Sequence, residues 1–259
     1  MKKLLFLACV ALTLNSCFSA KGLPVKTVDT VSENSQTEST TTTQTVDHAQ
    51  FDALLKKYVA KNGDVDYKGF KNDSDKLNSY INYLEQQTPS KAWSVETQLA
   101  YFINVYNANT IKLIIENYPT ESIKDIDKPW LKNRFKIGDN EFSLAGLENG
   151  ILRKMNEPRI HFAINCASTS CPKLLDEAYT EANVMALMER ATKEFINNNS
   201  KNQIASDSIK ISEIFKWYKS DFTENGSVID YINKYSDTKI NANTKVEHLD
   251  YDWSLNEQN

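Results

Sequence analysis

The feature that most constrains the fold is a long helical segment, residues 94–118, whose apolar side chains occupy every side of the helix. Ser94 is a suitable N-cap, and Glu96 in the first turn suits the helix dipole. The apolar residues form one stripe and also fill the opposite side: Leu99, Phe102, Ile103, Tyr106, Leu113 and Ile114, then Val105, Ala108, Ile111 and Ile115. Because a helix that is apolar all round is buried, the other elements must pack around this one.

Asparagine side chains interrupt this apolar segment at Asn104, Asn107 and Asn109. A buried amide that lacks a hydrogen-bond partner costs about 1–3 kcal/mol. We therefore expect Asn104 and Asn107, with Tyr106 between them, to belong to a buried polar network or to bind a ligand.

The remaining elements are shorter. Apolar spacing and end signals predict helices at residues 47–58, 77–84, 144–155, 181–197, 212–217 and 227–235. Strands are predicted as a hairpin over residues 135–144, a brief strand at 65–67 and an apolar strand at 160–166. Residues 246–255 are expected to be an extended tail that docks through Tyr251 and Trp253. Runs of helices around a few strands indicate an α+β fold, a mostly helical single domain with a small antiparallel sheet.

The N-terminus, residues 1–17, is typical of a lipoprotein signal peptide, with a positively charged start and an apolar run too short to span a bilayer. The run ends in Leu14-Asn15-Ser16-Cys17, which resembles a lipobox and predicts lipidation of Cys17. The alternative is a secreted protein cleaved at Ala20. Because no acidic run follows Cys17, we expect an exported protein held by its lipid on the periplasmic side of a bacterial membrane.

The next segment, residues 18–47, is predicted to be a disordered linker. From residue 21 onward it is rich in Ser, Thr and Gln and contains no aromatic residue, so it buries too little apolar area to offset the entropy of ordering. Residues 48–259 have the length of one ordinary domain.

Composition excludes two classes of partner. The net charge is −4 with acidic and basic residues interspersed, and without a basic stripe nucleic-acid binding is not expected. The chain has only 7 glycines and no glycine-rich phosphate loop. We expect no cofactor.

Reactive side chains are concentrated in one short span, where His161, Cys166 and Cys171 lie within a dozen residues. If residues 160–166 form a strand, His161 and Asn165 share one face and Cys166 lies behind them in the core. Cys171 is then the candidate nucleophile and His161 its base, oriented by Glu148, Asn165 or Asn107. A helical turn begun by Pro172 would lower the pKa of the Cys171 thiol.

Two other interpretations of this span remain open. Cys166 and Cys171 close a short loop, and in an exported domain they can form a disulfide. His161, Cys171 and His248 offer zinc-ligand side chains, but the paired spacing of zinc sites is missing. We therefore predict no metal.

Several motifs together resemble the DUF547 family. They are Ala100-Tyr-Phe-Ile-Asn104-Val-Tyr106-Asn107, Leu147-Glu148-Asn149-Gly150-Ile-Leu-Arg153, His161-Phe-Ala-Ile-Asn165-Cys166-Ala-Ser-Thr-Ser-Cys171-Pro172 and Phe215-Lys-Trp217-Tyr218-Lys-Ser-Asp221-Phe222. The resemblance implies a family of unknown function, with a distant relation to papain- and transglutaminase-like folds as an analogy of fold only. We expect the family often to carry histidine where this chain has Asn149.

Two functions from different classes follow. The first is a lipid-anchored envelope module, for binding or structure, whose His161–Cys171 segment shapes a groove for a ligand such as a peptide. Asn104, Tyr106, Asn107 and Arg153 are its candidate ligand-binding residues. The second is a cysteine-dependent hydrolase or transferase acting on peptide or amide bonds. Free thiols favour the enzyme and a closed disulfide favours the module, so the sequence leaves open whether the protein is an enzyme.

Overall fold

The computed structural model describes residues 20–28 and 45–258. These residues form an α+β domain with nine α-helices, three short 3-10 helices and two small sheets. The α-helices are α1 (Ala49–Tyr58), α2 (Tyr67–Asn72), α3 (Ser74–Gln86), α4 (Val95–Glu116), α5 (Leu144–Gly150), α6 (Val184–Ile196), α7 (Ile214–Trp217), α8 (Lys219–Phe222) and α9 (Val228–Tyr235). The strands are β1 (Phe135–Ile137), β2 (Asn140–Phe142), β3 (Gln203–Ile204), β4 (Ile209–Ile211) and β5 (Val246–His248).

The central helix is α4, as the sequence predicts. It is buried on all sides and packs against α2, α3, α5 and α6. The Ser94 hydroxyl accepts a hydrogen bond from the Thr97 amide and caps the helix. Its burial makes α4 a rigid support for whatever lies against it.

The sheets are only partly as expected. β1 and β2 form the predicted antiparallel hairpin, with Phe135 opposite Phe142. The second sheet has the order β3-β4-β5 and is mixed, because β3 and β4 are antiparallel whereas β4 and β5 are parallel. A parallel pair needs a long connection, and here α7, α8 and α9 supply it. The predicted small antiparallel sheet is the β1–β2 hairpin, whereas the mixed sheet was not predicted.

Two apolar cores meet in this domain. The larger surrounds α4. The smaller is built from isoleucine and aromatic side chains of the C-terminal half, such as Phe195, Phe215 and Phe222, around Phe162. The 3-10 helix Pro158–Phe162 contributes Ile160 to the larger core and Phe162 to the smaller. His161 therefore lies where the two cores join.

Two predicted strands differ in the structure: residues 160–166 begin as a 3-10 helix, and at 65–67 Val65 forms isolated β-bridges with Val59 and Glu257 whereas Tyr67 is helical. Residues 160–166 begin in the 3-10 helix Pro158–Phe162, where proline occupies the first turn and the Glu157 carboxylate accepts from the Arg159 amide. Tyr67 begins α2 because the Asp66 carboxylate accepts from the Gly69 amide and caps that helix. Both misassignments come from short apolar runs, in which strand and helix are hard to distinguish.

The N-terminal segment 20–28 packs on the domain, although its composition assigned it to the linker 18–47. Leu23, Val25 and Val28 lie against the larger core, and the Val28 amide donates to the Met155 carbonyl. These apolar side chains bury this segment against the larger core. Cys17 and residues 29–44 lie outside the described residues. In the part of the chain that is described, no helix combines the length and apolar character needed to cross a membrane.

Candidate functional site

A cleft of about 230 Å³ lies at the junction of the two cores and is lined by His161, Glu148, Cys166 and Cys171. Tyr106 of α4 forms part of its wall. A volume of this size suits a side-chain-sized group better than a drug-sized ligand. The cleft brings together most of the residues that the sequence marked as candidate catalytic groups.

His161 is held by a residue that we did not predict as its partner. Its Nε2 lies 2.9 Å from Asp221 Oδ2, and its ring stacks on Tyr218 with 4.0 Å between ring centroids. Because an ionised carboxylate only accepts hydrogen bonds, Nε2 carries the ring proton. Nδ1 is buried and has no hydrogen-bond partner among the described residues. It is therefore left as a proton acceptor.

Asp221 is also the partner of Arg153. The guanidinium makes a bidentate pair with the carboxylate, with Nε–Oδ2 and Nη2–Oδ1 distances of 2.6 Å, and its Nη1 donates to Asn149 Oδ1 at 2.8 Å. Burial raises the pKa of Asp221, but hydrogen bonds from Arg153 and His161 outweigh it and hold that pKa well below its usual range. Arg153, predicted to bind a ligand, thus orients Asp221. In the sequence, the motif that contains Tyr218 and Asp221 was the signal that could have marked Asp221 as a site residue.

Glu148 lies on α5 with 6 % of its surface exposed. Its Oε2 accepts a hydrogen bond of 3.3 Å from the Tyr106 hydroxyl. The other oxygen, Oε1, is buried and has no hydrogen-bond partner within the described part of the chain. Burial and the nearby Glu148 carboxylate raise the pKa of Tyr218, whose hydroxyl is close to Glu148 without a well-formed hydrogen bond to it. Glu148 was predicted to orient His161, but Asp221 holds that ring.

The two cysteines are free thiols, so the disulfide considered from the sequence is not formed in the structure. Their exposure is the reverse of our expectation, because Cys171 is buried and Cys166 is partly exposed. The expected order depended on strand alternation, which the 3-10 helix Pro158–Phe162 removes. Cys166, rather than Cys171, presents its sulfur to the cleft from the partly exposed position.

Hydrogen-bond donors surround the Cys166 sulfur. Ser168 Oγ lies 3.1 Å from it and the Tyr251 hydroxyl 3.3 Å from it. The Cys171 thiol makes the largest contribution, and with these hydroxyls it lowers the pKa of Cys166 to about 7. Burial, together with the neighbouring Cys166, raises the pKa of Cys171 well above its usual range. No hydrogen bond joins His161 to Cys166 in the described residues.

The backbone around Cys166 is held by two asparagines. Asn107 of α4 donates to the Ala163 carbonyl at 3.0 Å and accepts from the Asn165 amide at 2.9 Å. The Asn165 side chain donates to the Pro172 carbonyl and accepts from the Ala167 amide, both at 2.8 Å. Ala167 has a φ of 59°, a left-handed conformation that is strained for a residue with a Cβ. Both asparagines therefore shape the loop that presents Cys166.

Asn104 serves a different part of the fold. Its side chain donates to the Tyr179 carbonyl at 2.7 Å and accepts from the Tyr179 amide at 3.2 Å. Asn104 is fully buried and does not line the cleft. Asn104 therefore belongs to a buried polar network, and its position does not support the predicted ligand-binding role.

The C-terminal tail completes the cleft, as the sequence predicts for Tyr251 and Trp253. The Thr169 amide donates to the Ser254 carbonyl at 2.8 Å, and Ser168 pairs with Leu255 in a β-bridge. These contacts fix the cysteine loop from the side opposite to α4. They also place Tyr251 beside Cys166.

One side of the cleft is an aromatic wall formed by Trp130, Trp217, Tyr251 and Trp253. Trp217 and Trp253 stack with 5.7 Å between centroids, and Trp217 approaches Tyr251 to 4.8 Å. Trp217 remains 44 % exposed. Indole rings left open to solvent beside a cleft offer a binding face for a ligand.

In residues 20–28 and 45–258, no group of three His, Cys, Asp or Glu side chains is placed to hold a metal ion. His248 lies on β5 and does not line the cleft with His161 and Cys171.

The family comparison agrees with the motifs around this cleft. Residues 90–196 match the family described as "Protein of unknown function, DUF547". This part of the chain is similar to DUF547 domains. It contains α4, Glu148, His161 and both cysteines of the cleft, whereas Asp221 and Tyr251 lie beyond the matched residues.

No curated protein and no solved structure matches the chain. The relation of the DUF547 domain to papain- and transglutaminase-like folds stays a prediction. Function has to be argued from the cleft itself.

Proposed function

We propose that the cleft is the active site of a cysteine-dependent hydrolase or transferase acting on peptide or amide bonds, with Cys166 as the nucleophile. The observation that carries this proposal is the placement of the Cys166 sulfur. Cys166 is partly exposed and lines a cleft that also contains His161, and the hydroxyls of Ser168 and Tyr251 lie 3.1 Å and 3.3 Å from its sulfur. Reactive cysteines occur in such partly exposed sites that stabilise the thiolate.

The proposed first step transfers the Cys166 thiol proton to His161 Nδ1, the free acceptor of the ring. The thiolate adds to the carbonyl carbon of the substrate, forming a carbon–sulfur bond. When the carbon–nitrogen bond breaks, the leaving amine takes the proton from the imidazolium. Water then attacks the thioester in a hydrolase, or a second amine does so in a transferase. Asp221 fixes the ring and stabilises its charged form.

The position of the reactive thiol is tested by alkylation with iodoacetamide under native conditions, followed by peptide mapping. We expect Cys166 to react before Cys171, at a rate that rises with pH through about 7, whereas a free thiol titrates near about 8.5. Tyr251→Phe removes one donor and should move this midpoint upward. First modification at Cys171, or a requirement for prior reduction, would contradict the assignment.

The same protein tests catalysis with an activated acetyl ester, which needs no knowledge of the natural substrate. Cys166 should accumulate an acetyl thioester, detectable by mass spectrometry after an acid quench. Cys166→Ser should abolish it, and His161→Ala should slow it. Alkylation without acylation would argue for the second candidate, a binding or structural module in the envelope. The aromatic wall with its exposed Trp217 favours that candidate.

The proposed location is the periplasmic side of a bacterial membrane, with the protein anchored by lipid on Cys17. The support is the lipobox-like sequence Leu14–Cys17. Cys17→Ser is expected to move the protein from the membrane fraction to the soluble fraction and to remove the mass of the acyl chains. A variant that stays in the membrane with the mass of the wild type would contradict lipidation.

A further inference from the structure

The tryptophans of the aromatic wall and Glu148 face the same cleft, and the mechanism above uses none of them. Glu148 is almost completely buried, and in the described part of the chain its Oε1 has no hydrogen-bond partner. A buried carboxylate oxygen without a donor is costly unless a ligand supplies one. The Tyr218 hydroxyl lies close to this carboxylate without pairing with Oε1, so Oε1 remains open to a donor from a ligand.

Glu148 forms no ion pair within the described part of the chain. The Arg153 guanidinium interacts electrostatically with the Glu148 carboxylate but makes its bidentate pair with Asp221. The Tyr106 hydroxyl that binds Oε2 is neutral, and transfer of the Cys166 proton to His161 leaves the net charge of the cleft unchanged. A cation therefore suits the cleft better than a neutral or anionic group.

Aromatic rings around the cleft already engage cations of the protein. Lys124 Nζ lies 5.3 Å from the ring centroid of Trp253, and the Arg153 guanidinium lies 5.4 Å from that of Tyr218. Both distances are within the range of cation–π attraction. The aromatic faces around the cleft therefore favour a ligand that carries a positive charge.

We propose that the cleft recognises a primary ammonium group, which donates to Glu148 Oε1 while its alkyl chain packs on Trp217 and Trp253. The substrates would then be peptides or amides that carry a free amine, such as a lysine side chain. This substrate class rests on the proposed function, whereas the binding of the ammonium group can be measured without it.

The test is a titration of the full chain with n-butylammonium and with its neutral isostere n-butanol, followed by tryptophan fluorescence. We expect n-butylammonium to bind about tenfold more tightly, because a charge-assisted hydrogen bond is stronger than a neutral one. Glu148→Gln should remove this preference. Glu116→Gln, a change at a side chain 53 % exposed at the end of α4, is the matched control and should keep it.

Equal affinity for the two probes in the wild-type protein would overturn the inference, whether or not Glu148→Gln folds. A preference that survives in well-folded Glu148→Gln would overturn it as well. The acetyl-ester experiment separates this failure from that of the proposed function. Acylation of Cys166 without ammonium preference removes only the substrate class, and ammonium binding without acylation removes only the enzyme.

Discussion

Replacing Asn107 by leucine is expected to lower the free energy of unfolding by about 2–6 kcal/mol, since it leaves two buried backbone groups unpaired at about 1–3 kcal/mol each. These groups are the Ala163 carbonyl and the Asn165 amide. Asn107 is only 2 % exposed, so water cannot easily replace its amide. Chemical denaturation of the two proteins measures the loss.

The matched control is Asn109→Leu in the same helix. Asn109 is also buried, but its side chain donates only to the Val105 carbonyl one turn earlier, which already accepts within the helix. We expect a loss of less than about 1 kcal/mol. Asn107→Leu should also change the alkylation rate of Cys166, because Asn107 positions the loop before it. Equal losses for the two variants would mean that leucine is simply unfavourable anywhere in α4.

The sequence predicted α4 and its asparagines well because the signal is local. Apolar spacing over a long segment identifies a buried helix, and buried amides must find partners. The partners themselves could not be predicted, since Asn107 binds backbone groups 56 and 58 residues away along the chain. Such pairings depend on tertiary packing rather than on periodicity.

The geometry of the cysteine loop could not be predicted for a related reason. The choice between a strand and a 3-10 helix at residues 158–162 depends on the Glu157 cap and on the packing of Ile160 and Phe162 into different cores. A short apolar run gives no information on the cap or on the core into which each side chain packs. That single misassignment reversed the expected exposure of Cys166 and Cys171.

The partner of His161 was missed because chemistry was sought within one span of sequence. Asp221 lies 60 residues further along, in a short helix of the C-terminal half. Its motif resembled the family, but the sequence offered no reason to pair it with an imidazole. An acidic residue within such a motif becomes informative only once the fold brings α8 to the cleft.

Replacing Asp221 by alanine is expected to lower the free energy of unfolding at pH 7 by about 2–4 kcal/mol, because it leaves the Arg153 guanidinium partly buried without its partner. The matched control is Glu177→Ala, which removes the partner of Arg190 from a more exposed pair. Such surface pairs contribute about 0–1 kcal/mol. Similar losses in the two variants would show that the Arg153 pair is only a surface ion pair.

The pH dependence gives an independent check of the Asp221 variant. Because the pKa of Asp221 is lowered on folding, its contribution is fully present above the unfolded pKa of about 3.9 and is lost as the pH falls below it. The stability gap between the wild type and Asp221→Ala should therefore be largest at pH 5–7 and shrink toward pH 3. A gap that stays constant down to pH 3 would mean that alanine acts through packing and not through the lost charge.

The rate of acetylation tests the role of Asp221 in catalysis, which the stability measurements do not report. Without Asp221 nothing fixes the proton on His161 Nε2, so a fraction of the rings would carry it on Nδ1 and could not accept the Cys166 proton. Asp221→Ala should slow acetylation of Cys166 at conditions where the variant is still folded, while Glu177→Ala leaves it unchanged. Alkylation of Cys166 should be less affected, since the donors at its sulfur are Cys171, Ser168 and Tyr251. If acetylation and alkylation fall together, Asp221 supports the shape of the cleft rather than the proton acceptor within it.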